Sequence, residues 1–148
     1  MSKKVKWSAG TTDLKLDLTL DDYADDILAA LTNAIERGLM SIGMSAVEYA
    51  QKAVPVDTGR LRNSITFACK GHEGYAHTYK DDNNKMYSYQ VGAGAEEDAV
   101  YIGSNVEYAA SVELGNSRGM RPRPYLRPAA TEHTEEYKDI IRDSLENA

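Results

Sequence analysis

Cysteine is almost missing from this chain. Cys69 is the only one among 148 residues, which excludes an internal disulfide, cannot furnish a structural zinc site and fits a reducing compartment. Hydrophobic runs are short as well. None approaches the length of a membrane span, and no apolar segment follows the basic start Met1-Ser2-Lys3-Lys4-Val5-Lys6, so a soluble protein made in a cytoplasm, with no membrane partner, is expected. Histidines number three, His72, His77 and His133; with one cysteine they form no recognised transition-metal set and read as surface or hairpin residues. Positive charge is in deficit, 17 basic against 23 acidic residues for a formal net charge of −6. That balance argues against a clamp held on nucleic acid by phosphate contacts, and DNA that meets the protein is expected to slide past it. No internal repeat or low-complexity linker appears. The length suits one domain over residues 1–148, able to bury roughly 70% of the surface its unfolded chain exposes.

What is present turns on residues 53–65, Ala-Val-Pro-Val-Asp-Thr-Gly-Arg-Leu-Arg-Asn-Ser-Ile. Apolar residues recur every three to four positions before this stretch and every two after it. Pro55 lacks an amide proton and disfavours a helical Val54, Asp57 can bond the backbone two residues on, and Gly59 tolerates a positive φ. The stretch therefore reads as a helix stop, a turn and the entry to a sheet. Asp57-Thr58-Gly59 makes a turn; an aspartic-protease reading needs a second such loop to pair the carboxylates, and none exists.

In chain order, residues 1–12 are polar with a lone Trp7 and read as a loosely held arm. Leu14, Leu16, Leu18 and Leu20 alternate with polar residues, as in a half-buried strand. Thr19 with Asp22 has capping-box spacing and Leu18 with Tyr23 the hydrophobic staple, which predicts a helix from about Leu20. Its stripe of Ile27, Leu31, Ile35, Leu39, Ile42, Ala46 and Ala50 extends it to about 32 residues, ~48 Å. Gly38 and Gly43 inside it imply close packing or a slight bend. The stripe packs on the chain's own sheet, or one end of it also packs on a neighbouring subunit. After the turn, one helical turn over residues 59–63 precedes a strand through Phe67 and Cys69. Residues 71–98 form a protruding hairpin, with Tyr75, His77 and Tyr79 on one arm and Tyr87, Tyr89 and Val91 on the other. Val100 and Ile102 make another strand. Ser104 and Glu107 have capping-box spacing for a short helix through Leu114, closed by Gly115. Three prolines over residues 116–128 force an extended course, and a last helix starts near Pro128. The fold predicted is α+β: a long N-terminal helix on a small, mostly antiparallel sheet, plus a short helix and a C-terminal helix.

Candidate chemistry is sparse. Asp81-Asp82-Asn83-Asn84 lacks the spaced ligands of a calcium loop and reads as a turn. Gly92-Ala93-Gly94-Ala95 is followed by Glu96, Glu97 and Asp98, which repel phosphate. Gly103-Ser104-Asn105 is not a nucleophile elbow. No catalytic group, cofactor or metal is predicted, and the chain is not expected to be an enzyme. Arg118, Arg121, Arg123 and Arg127 lie in a segment without acid. With Tyr125 among them they suit phosphates and a stacked base; they equally suit carboxylates across a subunit boundary, such as Asp21, Asp22, Asp25 and Asp26, or merely solvate a loop.

Three stretches in order carry a family resemblance: Pro55-Val56-Asp57-Thr58-Gly59-Arg60-Leu61-Arg62-Asn63-Ser64-Ile65, Val106-Glu107-Tyr108-Ala109-Ala110-Ser111-Val112-Glu113-Leu114-Gly115, and Arg123-Pro124-Tyr125-Leu126-Arg127-Pro128-Ala129. With the flanking helices they resemble the head-tail joining or tail-completion proteins of tailed bacteriophages, similar to minor tail protein Z. The resemblance implies a virion protein at the head–tail junction, assembled in the bacterial cytoplasm as a homo-oligomeric ring, expected to be a hexamer. Its implied partners are a tail terminator or tail tube protein and a head-closure or connector protein, with DNA passing through unbound. The resemblance marks Pro55, Asp57, Thr58, Gly59, Arg60, Tyr108, Glu113, Gly115, Pro124, Tyr125, Leu126 and Pro128 as structural. Arg118, Arg121, Arg123, Arg127, Tyr87 and Tyr89 are the candidate subunit contacts. Another neck protein or a nucleic-acid-binding accessory protein is the alternative.

Overall fold

The computed structural model describes residues 2–8 and 15–21 through their strand pairing and residues 24–148 in full. Strand β1 (Ser2–Ser8) pairs antiparallel with β2 (Lys15–Asp21), from Ser2 opposite Asp21 to Ser8 opposite Lys15. The backbone is thus a strand over most of the stretch read from its polarity as an arm. The leucine alternation carries β2 through Leu20, where a helix start was expected, so Thr19 lies within a strand rather than at a cap. Asp22 and Tyr23, the rest of that capping signal, lie outside the described residues.

The long helix, α1 (Ala24–Ala53), ends where the sequence stops it: the Val54 amide reaches the Ala50 carbonyl at 2.9 Å and Pro55 has no amide to continue. Gly59 follows at φ 76°, a conformation that favours glycine, and α2 (Arg60–Ser64) leads into β3 (Thr66–Cys69). β3 pairs antiparallel with β6 (Val100–Gly103), while β4 (Ala76–Lys80) and β5 (Met86–Gln90) form the predicted hairpin. The described strands make three two-stranded antiparallel sheets beside the helices, an α+β fold.

Alternation in β3 and β6 sends Phe67, Cys69, Val100 and Ile102 against α1 around Leu39. Gly43 permits the closest approach. A Cβ there would lie 2.2 Å from the Phe67 ring, so the close packing expected of this glycine is present. A second apolar cluster joins Ala50 and Val54 at the end of α1 to Leu61, Ile65, Val106, Val112 and Tyr125. Short helices α3 (Ala109–Leu114) and α4 (Leu126–Thr131) close over that cluster.

The chain after Pro128 is not one helix. α4 stops at Thr131 and α5 (Thr134–Glu146) begins after Glu132 and His133. No glycine or proline marks this break; tertiary packing does. The His133 ring stacks on Tyr49 at 3.5 Å, and α5 then runs along α1 with Ile141 and Ser144 over Gly38. The Tyr49 hydroxyl donates to the Glu136 carboxylate, and that bond pushes its pKa up to about 12. The first ten residues of α1, 24–33, are exposed throughout, including Ile27, Leu28 and Leu31.

Candidate assembly site where three motifs meet

The three stretches singled out by resemblance are far apart in the chain and adjacent in space. A pocket of about 200 Å³ is lined by Asp57, Arg60, Arg62, Tyr108, Val112 and Arg123 among others, drawing on all three.

In the turn, the Thr58 carbonyl accepts the Asp82 amide at 2.7 Å, and Arg62 Nη2 donates to Asp82 Oδ1 at 3.0 Å. A side chain on Gly59 would strike that carboxylate at 2.5 Å. The turn therefore also seats the tip of the hairpin, the loop between β4 and β5. Arg60 carries the centre of the site. Its guanidinium donates to both Glu107 oxygens at 2.9 and 3.0 Å and stands 4.6 Å over the Tyr87 ring and 5.9 Å from that of Tyr108. The bond to Glu107 raises the Arg60 pKa further, so this cation never discharges. Glu107 is held below its ordinary value by its own backbone amide and by Arg60. Bidentate geometry gives the pair direction that a lysine would not supply.

The second and third stretches are joined by Glu113. Its Oε2 accepts the Tyr125 and Leu126 amides at 2.7 and 2.9 Å, and Oε1 accepts the Arg127 amide at 2.9 Å. A carboxylate from α3 thereby satisfies the donors that open α4. Burial pushes the Glu113 carboxyl up, but the three amides and the Arg127 charge outweigh it, and its pKa lies below the ordinary value. Tyr125 is fully buried, its hydroxyl on the Ala109 carbonyl at 3.2 Å, and burial pushes its pKa up to about 12. The Arg123 amide meets the Val112 carbonyl at 2.8 Å, and the Gly115 amide closes α3 on Ser111 at 2.8 Å. Leu126 is half-buried against the same core; Pro124 is exposed, and Pro128 offers its carbonyl to Glu132.

The Ser104 and Glu107 capping box does not form. Ser104 Oγ instead accepts the Val106 amide at 3.1 Å, α3 starts only at Ala109 with no side-chain cap, and Glu107 is taken by Arg60. The structure places Tyr87 and Tyr89 against the body: Tyr89 donates to the Ser64 carbonyl at 2.9 Å, and Tyr87 lies under Arg60 with its hydroxyl 3.3 Å from Asp81. Asp81 is itself buried and holds the hairpin turn by accepting the Asn83 and Lys85 amides.

The arginine segment behaves differently. Asn116 Oδ1 holds its backbone through the Arg118 and Met120 amides. Arg118, Arg121, Arg123 and Arg127 are exposed, and none forms an ion pair among the described residues. Leu114 stands beside them at 74% exposure. Asp25 and Asp26 at the start of α1 are likewise exposed and form no ion pair among the described residues.

Residues 15–115 match the family described as "Bacteriophage HK97-gp10, putative tail-component". The chain belongs to this family. That match covers the turn, the hairpin and α3, including Arg60, Glu107 and Glu113. No curated protein and no solved structure matches the chain. As a member of the HK97-gp10-like family it is a structural bacteriophage protein with other virion proteins as its partners. Among the described residues of this tail component, no helix is long and apolar enough to cross a membrane, and no group of three His, Cys, Asp or Glu is placed to hold a metal.

Proposed function

We propose that this tail component is a non-enzymatic ring subunit of the head–tail junction, six copies completing the tail where the head docks. Tail terminator or tail tube protein lies on one side of the ring and a head-closure or connector protein on the other. Family membership supports the tail assignment. The observation that carries the ring is the pair of unlike, exposed faces: arginines at 118, 121 and 123 without ion-pair partners among the described residues, and the start of α1 with Asp25, Asp26, Ile27 and Leu28. A contact between two different patches on identical subunits is heterologous and closes into a ring when the rotation allows. Guanidinium groups meeting carboxylates beside an apolar contact supply register as well as attraction. A net charge of −6 lets DNA pass without being held, since phosphates are repelled and keep their counterions.

The test is a charge swap. Arg121→Glu with Arg123→Glu should abolish assembly on tail tubes, and adding Asp25→Arg with Asp26→Arg in the same chain should restore it. Assembly undisturbed by the first pair contradicts this contact. Salt-dependent retention of DNA that the first pair abolishes supports a nucleic-acid-binding accessory protein instead.

A further inference from the structure

The β3–β6 sheet has α1 on one side only. On its other face lies a groove of about 490 Å³, floored by Thr66, Ala68 and Tyr101 and walled by residues 89–95 and 101–105. The lining is mostly apolar, and Tyr101 is 49% exposed. Among the described strands, the two in its walls, β5 and β6, each pair on one side only. An open strand edge beside an apolar floor is the arrangement that accepts an added strand, whose backbone bonds supply affinity and whose alternate side chains fill the groove. Directly after Ala95, the last lining residue of that wall, come Glu96, Glu97 and Asp98, an acidic lip that is exposed and without an ion pair among the described residues.

We propose that the groove receives strand β1 of a second copy of this chain. The inference rests on the ring reading above. β1 reads Ser-Lys-Lys-Val-Lys-Trp-Ser, with Lys3, Lys4 and Lys6 to answer the acidic lip and with Val5 and Trp7 at alternate positions to answer the apolar floor. Its partner β2 contains Asp17 and Asp21, which the same lip repels, so β1 is the strand that enters. Among the described strands β1 pairs with β2 alone, which leaves its outer edge open.

Reach favours a neighbour over the chain's own strand. Ala24, where α1 starts, lies about 28 Å along the helix from Gly43, whose backbone touches Phe67. The groove is on the far side of that sheet, roughly another 10 Å away. A seven-residue strand spans about 23 Å, and the two residues linking β2 to α1 add at most about 7 Å. The chain's own β1 thus falls short of lying along the groove, whereas a strand donated by the next subunit has no such limit.

Two full-length chains test this, one carrying Val5→Cys and the other Ala93→Cys, mixed in equal amounts under oxidised glutathione. Buried Cys69 stays in place. A disulfide-linked pair between the two chains is expected at ten or more times the yield given when Asn147→Cys replaces Ala93→Cys, and Lys3, Lys4 and Lys6→Glu should cut that yield severalfold. Two results would overturn the proposal: no excess of the mixed pair, or a bond formed within one chain carrying both cysteines at dilutions where it is monomeric. Light scattering on the same mixtures separates the claims. Rings without the mixed pair sink the donated strand alone, and absence of any assembly sinks the ring as well.

Discussion

At the residue scale, the side chains of the three motifs act mainly as internal ties. Glu113 holds three backbone amides at once, and a cap of this kind contributes roughly 1 to 2 kcal/mol. Glu113→Ala should therefore lower unfolding stability by about 2 kcal/mol in a denaturant titration. Its depressed pKa fixes the sign of a pH effect. The folded chain holds this proton less tightly than the unfolded one, so the stabilisation is complete above the ordinary value of 4.5 and is lost as pH falls through the lower folded value. The acid limb of a stability–pH curve should accordingly be shallower in Glu113→Gln than in the parent. Buried Tyr125, raised to about 12, works at the other extreme: its contribution is complete below the usual tyrosine value of 10 and is lost as pH rises towards 12. Gly43→Ala would press a methyl into the Phe67 ring and cost ~1 to 3 kcal/mol, while Gly92→Ala, with open space around it, should stay within ~0.5 kcal/mol. Thermal melts of both variants check this contrast.

At the scale of elements, periodicity made much of the fold legible. A stripe repeating every three to four residues through Ala53, a proline stop and two alternating tyrosine runs led to the body and end of α1, the turn and the hairpin in their observed places. Local capping signals misled twice, and for one reason: a better partner existed elsewhere. Thr19 was claimed by a strand pairing with β1, and Glu107 by Arg60, 47 positions away. The Glu113 cap was equally hidden, because its amide donors lie 12 to 14 residues on, around a loop whose course no local pattern gives. The break before α5 carries no turn residue; it follows from His133 stacking on Tyr49. In the candidate site, sequence order alone could mark the three motifs but not their convergence on one pocket. The bare start of α1 belongs to this scale too. Leu28 is 61% exposed, so Leu28→Lys should leave the melting temperature of the free protein essentially unchanged and still prevent assembly on tail tubes. A variant that unfolds, or one that assembles normally, contradicts an interface there.

At the scale of the whole molecule, one chain shows a division between ties and faces. Arg60 with Glu107 at the surface and Glu113 with Tyr125 beneath it lock the motifs to one another, while the arginine loop and the acidic, apolar start of α1 remain exposed. In the proposed ring these two faces would meet on neighbouring copies. Charge contacts of this kind weaken with salt, since exposed ions are screened over about 8 Å at physiological ionic strength, so assembly should loosen as salt rises. The most direct measurement is the solution mass of the purified full-length protein by light scattering over a concentration series, with and without tail tubes. A discrete ring, or a monomer that joins each tube end in a fixed number of copies, is the predicted result; a monomer indifferent to tubes at every concentration would contradict the head–tail reading.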